Sequence, residues 1–256
     1  MNYRLQSSKS LLSFLQESYP IESYINEIIS VSPDLKAHLE IVKIAISLKN
    51  SRARVLDLGA GGLDKILPLA ALGFDCFACD DFGDPWHQAA LPLIRDIASQ
   101  NSITLSTASL NDLASNWTLG YYDIIMLNDV IEHLHFSPLS LLQQCLDHLT
   151  PGGILLVHVP SCVNIKKRIR CLLGLSIYPA AESFFLWEGQ FRGHVREYSR
   201  HDLEFLASRL SGITSFNVKS ACFMLGVIPR RFRLLSRLVF LLLPSFSDSW
   251  QLIVRK

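Results

Sequence analysis

The amino-acid sequence predicts an α/β protein whose core is a doubly wound, mostly parallel sheet. Three observations predict it. From residue 54 onward, short apolar segments alternate with segments of helical periodicity, as they do when helices connect parallel strands. A glycine-rich turn follows the first apolar segment, where doubly wound sheets hold ligands. With 256 residues, 49% of them apolar, the chain is long enough to bury a large core without disulfide bonds.

Local patterns place each element. In residues 1–50, leucine and isoleucine recur at three- and four-residue spacing, which predicts a helical N-terminal extension to a domain that spans residues 51–256. In that domain, apolar runs predict strands over residues 54–58, 74–79, 103–106, 122–127, 154–159, 216–223 and 250–255. Helical periodicity predicts helices over residues 63–72, 86–99, 139–149, 202–210 and 231–243, with a proline–glycine turn over 151–153.

Residues 161–197 interrupt this alternation. They combine a basic cluster at residues 166–170 with an aromatic, turn-rich stretch that ends at Phe191. An irregular insertion of this length in a compact domain is typical of a lid or substrate loop. The basic cluster is either a solvated face or a contact for a phosphorylated or lipid-linked substrate.

Charge and cysteine content exclude some classes of protein. Twenty-four basic and 23 acidic residues give a formal charge of +1, so no nucleic-acid partner is expected. Six cysteines in a chain of this size favour a reduced, cytoplasmic protein, and Cys76 and Cys79 are expected on opposite faces of one strand. The N-terminal residues contain no apolar export segment, which also favours the cytoplasm.

The predicted helix near the C-terminus could contact a membrane. Residues 230–243 are rich in arginine and leucine, a composition typical of helices that lie on a membrane surface. The same composition is typical of a helix that packs on the sheet with its arginines in solvent, and both interpretations stay open. The sequence does not predict the oligomeric state.

The strongest motif is the segment Val55–Gly62, in which a strand runs into a glycine-rich turn. Glycine lets the backbone turn tightly and approach a ligand that a Cβ atom would exclude. Asp57 precedes the glycines, where it would repel a diphosphate and attract a cationic amino group, so a nicotinamide dinucleotide is disfavoured. Asp80 and Asp81 end the next strand, where doubly wound folds bind a ribose diol.

Together with the segments Asp123–Leu134 and Leu149–Ile154, these motifs resemble the class I S-adenosylmethionine-dependent methyltransferases in content and order. The resemblance implies a Rossmann-like, seven-stranded sheet with an antiparallel last strand, and S-adenosyl-L-methionine as cofactor. It implies cofactor contacts at Asp57, Gly59, Ala60, Gly61, Asp80, Asp81, Ser109, Leu110 and Asn128. Two positions depart from the family pattern, because Leu63 replaces a third glycine and Ser109 an aspartate.

A second pair of motifs points to the reacting groups. Glu132-His133 follows the fourth strand and resembles the Glu-His pair of ubiquinone-type O-methyltransferases and related small-molecule and glycan methyltransferases. Residues 193–199 resemble the His-x-x-x-Tyr-Ser segment of the same enzymes, and Ser199 is expected to cap the next helix. The resemblance makes Glu132, His133 and His194 the expected catalytic residues. Alternatively, His133 stabilises the turn at the sheet edge and His194 stabilises the lid.

A metal site is another use of these residues. Asp129, Glu132 and His133 have the spacing of one helical face, and His194 could complete a ligand set. The set resembles that of metal-dependent small-RNA 2′-O-methyltransferases, in which a glutamate stands at the position of Asp129. Many metal-free relatives carry the same Glu-His pair, so the expectation is that there is no metal site.

These motifs predict methyl transfer from S-adenosylmethionine to a small acceptor. The expected target is a hydroxyl oxygen of a sugar, a lipid-linked molecule or a quinone-like molecule, with a histidine as general base and residues 161–197 governing the acceptor. The alternatives are a metal-assisted RNA 2′-O-methyltransferase, which the balanced charge disfavours, and a cofactor-binding scaffold protein without transferase activity.

Overall fold

The computed structural model describes residues 52–178, 180–221 and 239–256. The predicted helical extension over residues 1–50 lies outside the described residues. So does most of the helix predicted over residues 231–243, of which residues 239–242 are described and helical. The division of the chain at residue 50 therefore stays a prediction.

Seven strands form one sheet. They are β1 (Arg54–Leu58), β2 (Asp75–Asp80), β3 (Thr104–Thr107), β4 (Tyr122–Asn128), β5 (Leu149–Pro160), β6 (Ser215–Ala221) and β7 (Ser249–Arg255). Their spatial order is β3-β2-β1-β4-β5-β7-β6, and β7 runs antiparallel to both neighbours while the other pairs are parallel. The expected Rossmann-like, seven-stranded, mostly parallel sheet is confirmed.

Helices cover both faces of the sheet. They are α1 (Leu67–Ala71), α2 (Pro85–Gln100), α3 (Leu110–Ser115), α4 (Pro138–Asp147), α5 (Ile165–Leu172), α6 (Ala181–Phe185) and α7 (Arg200–Ser208). Two 3-10 turns occupy Ile131–His133 and Pro244–Phe246. The sequence patterns missed α3, a short helix that Ser109 caps by accepting a hydrogen bond from Asn111 N at 3.2 Å.

Two predicted boundaries are wrong, each for a local reason. The helix predicted from residue 63 begins at Leu67, because Leu63 has a φ of +66°, which an α-helix excludes. The turn predicted over 151–153 lies within β5. That strand already starts at Leu149, because Leu149 pairs with Tyr122 before the register shifts.

Separate apolar cores lie on the two faces of the sheet. Cys76 belongs to the core that α1 and α2 cover, and Cys79 to the core that α4 and α7 cover. The expectation that the two thiols lie on opposite faces is confirmed, and the cysteines of the described segments are free thiols. In those same segments, no helix has the length and apolar character needed to cross a membrane.

The parallel strands bring the sequence motifs to one edge of the sheet. Five strands end there, at Leu58, Asp80, Thr107, Asn128 and Pro160. The residues that follow them converge at that edge, where α/β proteins bind ligands. Residues 193–199 come back to the same edge, because Tyr198 OH donates to Ile131 O at 3.1 Å and Tyr198 O accepts from Cys162 N at 3.2 Å.

Ser199 caps α7, as the sequence predicts. The Ser199 hydroxyl accepts a hydrogen bond from Asp202 N at 3.2 Å, and the Asp202 carboxylate accepts from Ser199 N at 2.8 Å. This reciprocal capping box satisfies two backbone donors at the start of the helix. It also fixes where the chain leaves the lid and re-enters the domain.

Candidate active site

The turn after β1 is hydrogen-bonded to the end of β2. Gly59 N and Ala60 N both donate to Cys79 O, at 2.8 and 3.2 Å. Gly59 has a φ of +73°, and a Cβ atom there would lie 2.5 Å from Val130 Cγ2. Both conditions require glycine at this position.

Asp80 is oriented by backbone groups on either side of it. Its Oδ2 accepts from Gly61 N at 2.9 Å, and its Oδ1 accepts from Phe82 N at 2.7 Å. Each carboxylate oxygen keeps a second lone pair, so the group can still accept hydrogen bonds from a ligand diol.

A cavity of about 610 Å³ opens beside this turn. Half of the predicted site residues line it, namely Gly59, Asp80, Asp81, Ser109, Leu110 and His133. The other half do not, namely Asp57, Ala60, Gly61, Asn128, Glu132 and His194. Of that second group, Asp57, Ala60, Asn128 and Glu132 are at most 3% exposed. The structure thus brings six predicted residues to the cavity and buries four others.

Asp57 is buried with few partners. It is 1% exposed, and among the described residues the Asn128 amide is the hydrogen-bonding side chain beside its carboxylate. Burial raises the pKa of this carboxyl from 3.8 to about 7, although the nearby Lys65 ammonium acts in the opposite direction. A buried carboxylate with so few partners is costly, and a cationic group of a ligand would relieve that cost. Asp57 and Asp80 therefore fit an ammonium group and a ribose diol.

Asn128 lies on the same face of the sheet as Asp57. Asp57 pairs with Met126 in the β1–β4 register, and Asn128 follows two residues later on that face. Asn128 is 3% exposed, and its amide is the side-chain hydrogen-bond partner of the Asp57 carboxylate. Two buried polar side chains thus lie side by side on this face of the sheet.

Asp129 turns the chain from β4 into the cavity wall. It has a φ of +56°, its N donates to His158 O at 3.0 Å, and its carboxylate accepts from His158 Nδ1 at 2.8 Å. Asp129 lines the cavity, whereas His158 is 5% exposed. Sequence reasoning missed His158. The only available signal was a polar residue in an apolar strand, directly opposite Asn128 in the β4–β5 register.

The three expected catalytic residues lie together. Glu132, His133 and His194 each offer one ligand atom within 4.8 Å of the others, and the two imidazole rings meet edge to face with centroids 4.9 Å apart. His133 Nδ1 lies 2.8 Å from Arg192 O. Because a carbonyl oxygen can only accept, Nδ1 carries the hydrogen and Nε2 is the proton-accepting nitrogen.

Burial favours the neutral forms of both Glu132 and His194. Burial raises the pKa of Glu132 from 4.5 to about 8, and the Asp129 carboxylate adds to the effect. Burial, His133 and Lys167 lower the pKa of His194 from 6.5 to about 4. His194 Nδ1 donates to Glu197 at 3.0 Å, and Lys167 forms an ion pair with the other oxygen of that carboxylate.

Asp129 does not belong to this cluster. The metal alternative needs Asp129 on one helical face with Glu132 and His133, but the 3-10 turn begins only at Ile131 and Asp129 is left-handed. Its carboxylate pairs with His158 instead. Glu132, His133 and His194 remain as the group of potential metal ligands found among the described residues.

Residues 191–198, named here the return segment, are bound along the turn at residues 131–135. Five hydrogen bonds join them, from His133 Nδ1 to Arg192 O, His135 Nε2 to Phe191 O, Val195 N and Arg196 N to Glu132 O, and Tyr198 OH to Ile131 O. The Arg192 guanidinium also donates to both oxygens of Asp81, at 2.6 and 2.9 Å. Sequence reasoning missed Arg192, which pairs with an expected cofactor residue.

The lid contributes to the cavity through its last residues. Gln190, Phe191 and Arg192 line it, whereas the basic cluster at residues 166–170 does not. In that cluster, Arg168 and Arg170 donate to Val163 O and Ser176 O, both at 2.7 Å. The part of the lid that faces a ligand is therefore aromatic and polar, with one arginine.

Comparison with known proteins agrees with this geometry. A family model described as a methyltransferase domain matches residues 36–210. Among curated relatives, ubiquinone biosynthesis O-methyltransferases from Cereibacter sphaeroides and Rickettsia canadensis are 32% and 28% identical over 104 and 120 residues. These segments cover 40% and 46% of this chain. They cover 39% and 46% of the relatives, so less than half the length of either relative is matched.

Solved structures share the fold. A methyltransferase dependent on S-adenosylmethionine from Archaeoglobus fulgidus superposes with a TM-score of 0.58 at 14% identity, over 92% of this chain and 100% of that one. Magnesium protoporphyrin IX methyltransferase from Synechocystis, solved with bound S-adenosylhomocysteine, gives 0.53 at 16% identity, over 88% and 84%.

The family match extends over more than half of the chain and includes the glycine turn, the Glu-His pair and the return segment. The resemblance that the motifs carry is confirmed. This chain belongs to the methyltransferase-domain family.

Proposed function

We propose that the chain transfers the methyl group of S-adenosylmethionine to a hydroxyl oxygen of a small acceptor. The observation that carries the proposal is the position of His133. It lines the same cavity as Gly59 and Asp80, and its hydrogen bond to Arg192 O makes Nε2 its proton-accepting nitrogen. A base thus faces the cavity whose other wall carries the expected cofactor residues.

The residues around the glycine turn fit the cofactor. When bound, S-adenosylmethionine supplies a methyl group that its sulfonium already activates. Asp57 offers a buried carboxylate to the ammonium group, and Asp80 offers an oriented carboxylate to the ribose hydroxyls. Ser109 and Leu110 line the part of the cavity assigned to adenine. The remaining work of the protein is to align the acceptor oxygen with the methyl carbon and to exclude water.

His133 is the proposed general base. A sugar hydroxyl is a weak nucleophile near neutral pH and benefits from a base within hydrogen-bonding distance. Accepting its proton at Nε2 makes His133 an imidazolium. Neutral His194 beside it adds no like charge, because burial keeps the pKa of His194 near 4, as given above. Glu132 can ionise in response, since its pKa of about 8 is close to neutral pH.

The names of the curated relatives support an oxygen acceptor, because they are called ubiquinone biosynthesis O-methyltransferases. Sugar, lipid-linked and quinone-like hydroxyls are the proposed acceptors of this chain. The cavity volume of about 610 Å³ is in the range of pockets that bind small molecules.

A metal-assisted RNA 2′-O-methyltransferase is the second candidate, and one observation favours it. The Glu132 carboxylate is buried and lies beside two histidines. A divalent cation would satisfy all three. The net charge of +1 provides no excess of basic residues to bind an RNA backbone, so the small-acceptor proposal is preferred.

The test of the proposed function is a turnover assay. We expect release of S-adenosylhomocysteine with one or more of a panel of catechol, phenol and sugar acceptors or with cell extract, the methylated product being identified by mass spectrometry. His133→Gln should lower kcat by about 10²- to 10⁴-fold, because it removes the base and leaves the cofactor contacts intact. His201→Gln, at an exposed position of α7, is the control. Cofactor binding without turnover would support the scaffold alternative, and normal kcat in His133→Gln would exclude His133 as base.

Asp80→Ala should weaken cofactor binding roughly ten- to hundred-fold, or about 1.5–3 kcal/mol, because the ribose loses charge-assisted hydrogen bonds. Isothermal titration calorimetry with S-adenosylmethionine measures the loss. Asp96→Ala removes an exposed carboxylate from α2 and should bind like the wild type. If Asp80→Ala bound the cofactor with wild-type affinity, Asp80 would not be a cofactor contact.

Cofactor affinity should rise roughly tenfold between pH 5.5 and 7.0. Asp57, with a pKa of about 7, is mostly protonated at the lower pH and must ionise to meet an ammonium group, so binding strengthens as pH rises. Calorimetry with S-adenosylhomocysteine over this range measures the slope. Asp57→Asn cannot ionise and should show weak affinity that is independent of pH. An equal slope in both proteins would place the titrating group elsewhere.

Chelation should leave turnover unchanged, since a histidine base needs no metal. The measurement compares initial rates before and after dialysis against EDTA, with Mg²⁺, Mn²⁺ or Zn²⁺ added back. A rate that falls on chelation and is restored by one of these ions would indicate that a metal at Glu132, His133 and His194 acts in place of the base. That result would favour the RNA alternative.

A further inference from the structure

The lid exposes an unusual amount of apolar surface. Leu172, Leu173, Tyr178, Phe185 and Leu186 are each at least 68% exposed, within 15 consecutive positions of the chain. Exposed apolar residues scattered singly are normal, but a concentration of large ones in one segment indicates a contact surface. The exposed side chains of residues 165–187 are named here the lid surface.

Basic residues border the apolar ones on α5. Lys166 and Arg170 are exposed on a helix that also exposes Ile169 and Leu172 and is followed by exposed Leu173, whereas Lys167 turns inward to Glu197. Residues 165–187 contain four basic residues and a single acidic one, Glu182. A short helix with leucine and isoleucine between lysine and arginine has the composition of helices that lie in a membrane interface.

Residues 241–243 precede a turn that contacts α5. They are three leucines, 74%, 76% and 46% exposed. The turn that follows them contacts α5, because Arg168 donates to Ser245 Oγ at 3.2 Å and its guanidinium lies 5.3 Å from the centre of the Phe246 ring. A second segment with exposed leucines therefore leads into a turn that contacts α5.

The lid surface also borders the cavity. Phe184 and Trp187 pack edge to face on Phe191, with ring centroids 4.9 and 5.8 Å apart, and Phe191 lines the cavity wall. Whatever the lid surface contacts is thus held close to the cavity entrance.

We propose that the lid surface docks on a lipid bilayer that carries anionic headgroups. Its apolar side chains would enter the interface, and Lys166 and Arg170 would remain at headgroup level. A second copy of this chain is the less favourable occupant. A two-fold interface through the same surface would bring the basic clusters of both copies together without acidic partners. This docking is independent of the proposed methyl transfer.

Vesicle co-sedimentation of the full chain tests the docking. We expect binding to phosphatidylcholine vesicles that contain about a quarter phosphatidylglycerol, and roughly tenfold weaker binding to phosphatidylcholine alone. Leu172→Ser/Leu173→Ser should lose most of the binding, since it removes two inserted side chains. Lys166→Gln/Arg170→Gln should bind both kinds of vesicle equally weakly. Leu93→Ser, at an apolar position of α2 that is 46% exposed, is the matched control and should bind like the wild type.

Separate measurements make each outcome decisive. Circular dichroism establishes that every variant is folded, and calorimetry with S-adenosylhomocysteine reports the cofactor site without reference to lipid. No binding of the wild type to anionic vesicles would overturn the proposal, as would equal binding by the Leu172/Leu173 variant. A dimer in sedimentation velocity that this variant loses, without vesicle binding by the wild type, would assign the surface to a second copy.

Discussion

The hydrogen bonds between the β1 turn and the end of β2 are the constraint on which the site depends. Cys79 O accepts from Gly59 N and Ala60 N, and Asp80 Oδ2 accepts from Gly61 N. In a site for diphosphates, consecutive N–H groups of such a turn point at the ligand. Here all three are used within the protein. The turn therefore offers oriented carboxylate oxygens in place of free N–H groups, which suits hydroxyls and cations and disfavours phosphates.

Arg192 links the two walls of the cavity. Its carbonyl oxygen accepts the His133 Nδ1 hydrogen, and its guanidinium pairs with both oxygens of Asp81. One lid residue thus fixes the tautomer of the proposed base and neutralises an acid beside the expected ribose site. A displacement of the return segment would disturb both contacts together.

Much of the fold and part of the site follow from local sequence, and the remainder depends on distant pairing. The strands, the glycine turn and the Ser199 cap rest on patterns within a few residues, which is why they could be predicted. The Arg192–Asp81 pair spans 111 residues, and the His158–Asp129 pair spans 29. No local pattern indicates that such residues meet. The predicted helix start at Leu63 is wrong for a different reason. The turn imposes a positive φ on Leu63, and the helix propensity of leucine does not reveal this.

The buried acids explain how a nearly uncharged chain can favour a cationic ligand. Burial opposes the charge of Lys65, but Asp64, Asp129 and Asp57 together raise its pKa, so this cation remains charged. Burial places the pKa of Asp57 and Glu132 at about 7 and 8, so both carboxyls can be neutral in the unliganded protein. A cation that enters converts them to their charged forms and releases protons. A neutral or anionic ligand cannot gain this energy. Binding of a cation at these carboxyls would therefore depend on pH and would strengthen as the pH rises.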